Sequence, residues 1–280
     1  MAPFLRLRGF TLDLSRPQVM GVLNVTPDSF ADGGRYFDAR HAAQRVLDML
    51  DEGADIIDIG GESTRPGASP TTEGDELQRV VPLLQAVRSA CDARGVPISV
   101  DTRKTRVMRA AIEAGASMIN DVNALREPDA MQAVAESQAG VCLMHMRGEP
   151  DNMQQLAKYD DVVAEVGAYL SERASASVAA DVAHDRIVVD PGFGFGKTVE
   201  HNLILLRGLS RIVALGYPVM VGLSRKSTIG VLTGRSVDER AMGSVAAALA
   251  AVARGASIVR VHDVRETVDA LKVWRAVEGQ

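Results

Sequence analysis

Eight short apolar runs, at residues 19–23, 56–59, 98–100, 117–119, 141–144, 187–189, 219–221 and 258–261, punctuate the chain, and each breaks abruptly into polar residues. Runs of this length are too short to be helices but suit strands buried on both faces. Behind them come stretches such as HAAQRVLDMLDEGA, DELQRVVPLLQAVRSAC, DDVVAEVGAYLSERASASVAA and ERAMGSVAAALAAVARGA, with apolar residues three and four apart. That spacing is the period of an amphipathic helix. Most of these stretches end at Gly53, Gly95, Gly115, Gly216 or Gly255, where glycine takes the left-handed conformation that closes a helix. Strand, polar loop and helix in unbroken alternation predict an α/β protein, a (β/α)8 TIM barrel, with its chemistry on the rim where the strands end. Residues 4–14, FLRLRG and FTLDL, read as a short hairpin that plugs the bottom of the barrel. No linker or low-complexity tract interrupts the pattern, so a single domain is expected over 1–280, with 1–17 as the N-terminal hairpin.

Composition narrows the class. A length of 280 residues accords with the roughly 250 that such a barrel takes. No apolar run approaches the roughly 20 residues that span a bilayer, and the opening MAPFLRLRGFTLDLS alternates instead of forming a signal peptide's apolar block. Neither a membrane segment nor export is expected. A net charge of −5 with scattered Lys and Arg argues against a nucleic-acid partner, which needs a clustered basic face. Two cysteines, Cys91 in a helical stretch and Cys142 in an apolar run, do not make a disulfide framework and fit a reducing cytoplasm.

The candidate chemistry lies at the strand exits. In order these are Asn24, the 60–67 stretch GGESTRPG, Asp101-Thr102-Arg103, Asn120-Asp121, His145-Met146, the 190–197 stretch DPGFGFGK, Ser224-Arg225-Lys226, and Arg260 to Asp263. Taken singly, an Asp or Asn at a strand end commonly caps the next helix or closes a turn. Barrel closure brings all eight exits around one axis, so carboxylates, carboxamides, a lysine, an arginine and a histidine meet at one mouth. Asp101, Asn120 and Asp190 suit the edge of a flat heterocycle, since a carboxylate matches a guanidine-like edge with two parallel hydrogen bonds. Arg260 and His262, two apart on one strand, point to the same side and suggest an anion beside Asn24 and the 26–34 loop. A hard cation such as Mg2+ would take oxygen ligands there, from Asn24, phosphate oxygens and water.

Three familiar patterns fail on inspection. GFGFGKT resembles a Walker loop but is one residue short, with Pro191 where the first glycine belongs, so a mobile, backbone-rich rim loop is expected instead. The five histidines are too dispersed for zinc, with His41, His184 and His201 on or beside helices. Met144 and Met146 around His145 read as packing.

With these residues assembled, the chain resembles dihydropteroate synthase, the folate-pathway enzyme family, over essentially its full length. The resemblance rests on NVTPDSFADGG, GGESTRPGA, SVDT, INDV, CLMHM, DPGFGFGK, GLSRKS and RVHDV, in the family's order. It implies a dimeric (β/α)8 barrel that joins 6-hydroxymethyl-7,8-dihydropterin pyrophosphate to 4-aminobenzoate with Mg2+, releasing pyrophosphate and 7,8-dihydropteroate. By the same resemblance, Asp101, Asn120, Met144, Asp190 and Lys226 hold the pterin, while Asn24, Thr64, Arg260 and His262 hold the pyrophosphate, with Asn24 on the metal. The aminobenzoate is expected near Phe30, Arg65, Pro66, Phe195, Lys226 and Ser227, a site for which sulfonamides would compete. Asp32, Lys226, Arg260 and His262 carry the catalytic roles, Asp32 as a support in its loop. The alternative is a pterin-binding module of the kind found in corrinoid methyltransferases, which has no need of Arg260 and His262 as an anion clamp. The alanine-rich helix at 244–253 and the helix bearing Trp274 are candidates for the dimer interface.

Overall fold

The computed structural model describes residues 4–25, 35–62, 71–149 and 152–279. Its chain begins with the antiparallel hairpin β1 (Phe4–Leu7) and β2 (Phe10–Asp13). Eight parallel strands then alternate with helices: β3 (Gln18–Asn24), α1 (Arg35–Asp51), β4 (Ile56–Gly60), α2 (Glu73–Ala93), β5 (Ile98–Asp101), α3 (Thr105–Ala114), β6 (Met118–Asp121), α4 (Ala130–Ala135) and β7 (Gly140–Met144). The second half continues with α5 (Val162–Ala179), β8 (Ile187–Asp190), α6 (Val199–Arg207), α7 (Leu209–Val213), β9 (Met220–Val221), α8 (Ser227–Thr233), α9 (Ala241–Val252), β10 (Ile258–Val261) and α10 (Val264–Glu278).

The strand order is β8-β7-β6-β5-β4-β3-β10-β9, and a parallel bridge from Val189 to Val219 joins the two ends into a barrel. The expected fold class is therefore correct, and the strands fall within a residue or so of the apolar runs. The largest differences are at β6, which starts at Met118 and extends to Asp121, and at β9, where the ladder covers only Met220 and Val221. Local chemistry sets the helix starts. Thr72 accepts a hydrogen bond from the Asp75 N–H at the head of α2, and Asp161 accepts from Val163 and Ala164 at the head of α5, satisfying amides that have no partner within the helix. Thr198 and His201 form a reciprocal cap on α6, so His201 has a structural occupation. The cysteines Cys91 and Cys142 are both buried free thiols.

Two apolar layers hold the barrel. One lies between the outer strand faces and the helices, where Val80, Leu84, Val87 and Cys91 of α2 meet Ile57, Ile59 and Val100. The other is inside, where Leu5 and Leu7 of the hairpin pack on Met20, Ile56, Met118, Cys142, Val188, Met220 and Ile258. The hairpin thus closes the barrel's lower end with apolar side chains, as the sequence led us to expect. At roughly 1.5–3 kcal/mol for each fully buried large apolar side chain, this plug is a substantial part of the barrel's stability.

Candidate active site

The inner face of most strands changes character two residues above that plug. Side chains two apart on a strand share a face, so above Ile56, Met118, Cys142, Val188 and Ile258 stand Asp58, Asn120, Met144, Asp190 and Arg260, and Asp101 stands above Ser99. One step of period two lifts the chain about 6–7 Å, from an apolar floor to a charged layer. The floor excludes water from below; the layer faces the mouth.

Arg260 is the hub of that layer. Its Nε donates to Asp58 Oδ2 at 2.7 Å and its Nη2 to Asp101 Oδ2 at 2.7 Å, so one guanidinium bridges the second and third barrel strands. Asn120 Nδ2 donates to the same Asp58 oxygen at 3.3 Å. Burial opposes the charge on Arg260, yet the two carboxylates hold it above the ordinary arginine range. Burial pushes Asp101 up to about 7 against the pull of Arg260, with the charges of Asp58, Glu76 and Asp121 acting in the same direction as burial. Asp190 is likewise raised by burial, opposed first by Lys226. Its Oδ1 accepts the Gly192 N–H at 2.7 Å, which fixes the carboxylate and begins the following loop. Burial draws Lys226 down to about 8, with Asp190 opposing. The Lys226 amine donates to the Phe193 carbonyl and lies 4.5 Å above the centre of the Phe195 ring. Met144 packs with Val122, Met146 and Met153 into an apolar pad on which Phe195 rests.

A second polar neighbourhood adjoins this layer. A groove lined by Asn24, Arg45, Glu52, Arg225, His262, Asp263, Arg265 and Glu266 runs between the exits of β3 and β10, with Arg45 paired to Glu52 and Arg225 to Asp263. His262 Nδ1 lies 3.1 Å from Ser224 Oγ, and its carbonyl accepts from Arg45 Nη2 at 3.2 Å. Arg225 adopts a left-handed backbone, φ 57°, which costs a non-glycine residue about 1–2 kcal/mol. Its N–H donates to Ser244 Oγ at 2.9 Å and its guanidinium pairs with Asp263, which together hold the turn that presents Ser224 and Lys226. Ser227, exposed, opens α8.

Among the described residues no three His, Cys, Asp or Glu side chains are arranged to hold a metal ion. The donor set still fits a magnesium ion, which characteristically takes one or two protein oxygens and completes its shell with phosphate and water. A side chain at Gly60 would place its Cβ 3.2 Å from Asn24 Oδ1, so the glycine leaves that carboxamide oxygen room for a ligand.

Asp101, Asn120, Met144, Asp190, Phe195, Lys226 and Arg260 thus meet in one mouth, and Asn24 and His262 line the adjoining groove. Arg260, expected on the pyrophosphate, is drawn in among the carboxylates of the inward layer. Phe30, Asp32, Thr64, Arg65 and Pro66 lie outside the described residues. The sequence reading missed Asp58, which is fully buried inside β4. The signal was present in IIDIG, where an aspartate two residues after Ile56 shares its inward face. Also unforeseen is the state of the loop after β8, which is tied at every carbonyl from Gly192 to Gly196 instead of standing loose.

Residues 20–262 match a family described as pterin binding enzyme. The dihydropteroate synthase of Haemophilus influenzae is 50% identical over 265 residues, which are 95% of each chain. Among solved structures, Xanthomonas albilineans dihydropteroate synthase with 4-aminobenzoic acid superposes with a TM-score of 0.94 at 50% identity, covering 100% of both chains. A structure from the same organism in complex with 7,8-dihydropteroate gives 0.90 at 48% identity, over 99% of this chain and 100% of that one. The chain belongs to the pterin-binding enzyme family, and within it to the dihydropteroate synthases, which are transferases.

Proposed function

We propose that this chain joins 6-hydroxymethyl-7,8-dihydropterin pyrophosphate to 4-aminobenzoate by a dissociative route, with the two charged neighbourhoods of the mouth dividing the work. The observation that carries the reading is the inward layer of Asp101, Asn120, Asp190, Lys226 and Arg260 above a sealed apolar floor, beside the groove that Asn24 and His262 line. Asp190 and Asp101 accept hydrogen bonds from the donors on the pterin edge, Asn120 supplies both a donor and an acceptor, and the pterin lies against Met144.

The bond between the pterin methylene carbon and the pyrophosphate oxygen breaks first, its electron pair leaving with pyrophosphate. The carbon is left as a cation spread into the dihydropterin ring. The arylamine nitrogen then donates its lone pair to that carbon, forms the new C–N bond and loses a proton. No protein nucleophile is needed. His262 and Arg260 stabilise negative charge developing on the leaving group, where preorganised donors act most strongly. Asn24 would hold Mg2+ together with pyrophosphate oxygens, and the ion would neutralise part of the departing charge. Lys226, with its amine over the Phe195 ring, stands where the two substrates meet; Ser227 and Phe195 receive the aminobenzoate with Arg65 and Pro66, and Phe30, Asp32 and Thr64 complete the set.

The same proposal includes a homodimer and a cytoplasmic location. Met242 is 80% exposed, Val277 78%, Val231 67% and Val273 66%, and the helices that bear them, α8, α9 and α10, pack side by side. An apolar face of that kind suits a second copy of the chain. Two buried free thiols suit a reducing compartment, and no helix among the described residues is long and apolar enough to cross a membrane.

A series of ring-substituted 4-aminobenzoates of graded amine basicity tests the order of bond changes. If the cation forms before attack, single-turnover pyrophosphate release changes little across the series. A steep rise of that rate with amine basicity would contradict the dissociative route.

A further inference from the structure

Five consecutive carbonyls of the loop after β8 each accept a hydrogen bond from a side chain. Lys197 Nζ donates to Gly192 O at 2.9 Å and to Phe195 O at 3.1 Å, and Lys226 Nζ donates to Phe193 O. Gln154 Nε2 donates to Gly194 O at 2.9 Å, and the Tyr159 hydroxyl to Gly196 O at 2.9 Å. The Gly194 N–H is taken by Asn202 Oδ1 at 2.8 Å. A loop needs no such provision merely to cover a barrel.

Lys197 is the unusual member. Lysine is among the residues least often buried, yet Lys197 is only 3% exposed and its amine points inward to the exit of β7, 2.9 Å from His145 Nδ1. The three close partners satisfy either protonation state. An ammonium gives one N–H each to Gly192 O, Phe195 O and His145 Nδ1; a neutral amine gives two and accepts the third from the imidazole N–H. Burial pulls Lys197 well below the ordinary lysine range, Asp190 opposing and Lys226 and Arg147 adding to it. Burial, followed by Lys197 and Arg147, holds the His145 imidazole neutral, down to about 2.

The glycines make the same seat. Gly192 has φ +68°, and a Cβ there would stand 1.9 Å from the His145 carbonyl oxygen; Gly196 has φ +61°, and its Cβ would stand 2.8 Å from the Arg147 carbonyl oxygen. The loop therefore lies backbone against backbone on the β7 exit, and Lys197 binds the two together from below. Outside, Tyr159 adds a second tie, its ring covered by Arg147 at 4.1 Å and by the edge of His201. What these ties fix in space is Phe195. Its carbonyl is on Lys197, its N–H is on Gly192 O at 3.1 Å, and its ring lies between the methionine pad and the Lys226 amine.

We propose that Lys197, with Tyr159 as its outer partner, is a positioning residue for the arylamine substrate, holding the Phe195 ring and the Lys226 amine at the spacing that a flat aromatic carboxylate requires. Lys197 touches neither substrate and acts through the loop. The inference rests on the assignment of Phe195 and Lys226 to the aminobenzoate side of the mouth.

The test compares the full-length protein with Lys197→Met and Tyr159→Phe. Steady-state turnover gives KM for 4-aminobenzoate, calorimetry gives Kd for dihydropterin pyrophosphate, and thermal melting is followed in parallel. Losing the Lys197 bonds should raise the aminobenzoate KM about tenfold or more while the pterin Kd stays within about threefold, and losing the Tyr159 bond should raise KM about threefold. An unchanged KM in Lys197→Met, or KM and pterin Kd rising together, overturns the proposal. If Lys197→Met does not fold, Tyr159→Phe decides: a selective rise in KM supports the proposal and no change overturns it. The unaltered protein assayed alongside separates the two levels, since failure to make dihydropteroate at all would strike the functional reading and not the loop.

Discussion

Asp190→Asn should weaken binding of dihydropterin pyrophosphate by about 100-fold or more while leaving the melting temperature at pH 8 unchanged or slightly higher. The affinity loss follows from removing a charged acceptor: each hydrogen bond to a charged group is worth about 1.5–3 kcal/mol, and two parallel ones exceed the roughly 2.7 kcal/mol that a factor of 100 represents. The amide also turns a donor towards the donors on the pterin edge. The stability expectation follows from the carboxylate's surroundings. Burial raises its pKa, so the charged form is penalised in the folded protein, and a neutral side chain of the same shape removes that penalty. Asparagine Oδ1 can still accept the Gly192 N–H that Asp190 accepts at 2.7 Å, so the loop start is preserved. Calorimetry and melting on the same sample check both halves. Wild-type affinity would remove Asp190 from the pterin site.

Arg260→Met should have the second large effect, on activity and on stability together, with the two separable. The guanidinium is 20% exposed in its side chain and bridges Asp58, which is 0% exposed, to Asp101 at 12%. Removing it leaves two buried carboxylates facing each other, a loss of about 3–5 kcal/mol by the behaviour of broken buried ion pairs. The sign of the pH dependence is fixed. Without Arg260 the Asp101 pKa rises further above its present value of about 7, because the cation was lowering it. A raised folded-state pKa gives stability that is present at low pH and lost as pH rises through it. The variant should therefore recover towards wild-type stability on acidification and be weakest at alkaline pH. Adding Asp58→Asn should restore much of the lost stability at pH 8 but none of the turnover, which should remain down by about 100-fold or more for want of charge on the leaving-group side. Recovery of turnover in the double variant would show that Arg260 serves only to balance Asp58.

The fold was legible in the sequence for a physical reason. Strands of a parallel barrel are buried on both faces, so they appear as short, predominantly apolar runs, and the polar exits that bound them are abrupt. The hairpin was legible from the alternation in FLRLRG and FTLDL. Much of the site was legible as well, because Asp101 and Asp190 end their strands, Asn120 stands one residue from the end of its own, and all three stand out against the apolar residues before them. Asp58 does not end its strand. It sits within IIDIG, and only the period-two arithmetic from Ile56 shows that it faces the same interior as Asp101. That Arg260 spans to both carboxylates depends on pairing between β3, β4, β5 and β10, which brings together residues 202 and 159 apart and which no local pattern carries. Lys197 was hidden differently. GFGFGKT invites comparison with a phosphate loop, and setting that comparison aside also set aside the lysine, whose partner His145 belongs to the preceding strand exit.

Stoichiometric coupling tests the central claim most directly: pyrophosphate release from dihydropterin pyrophosphate with Mg2+, measured with and without 4-aminobenzoate while dihydropteroate is followed in the same reaction. The account predicts one pyrophosphate released for each dihydropteroate formed, with sustained turnover only when the arylamine is present. Tight pterin binding with no pyrophosphate release under either condition would contradict it and leave the chain a pterin-binding module.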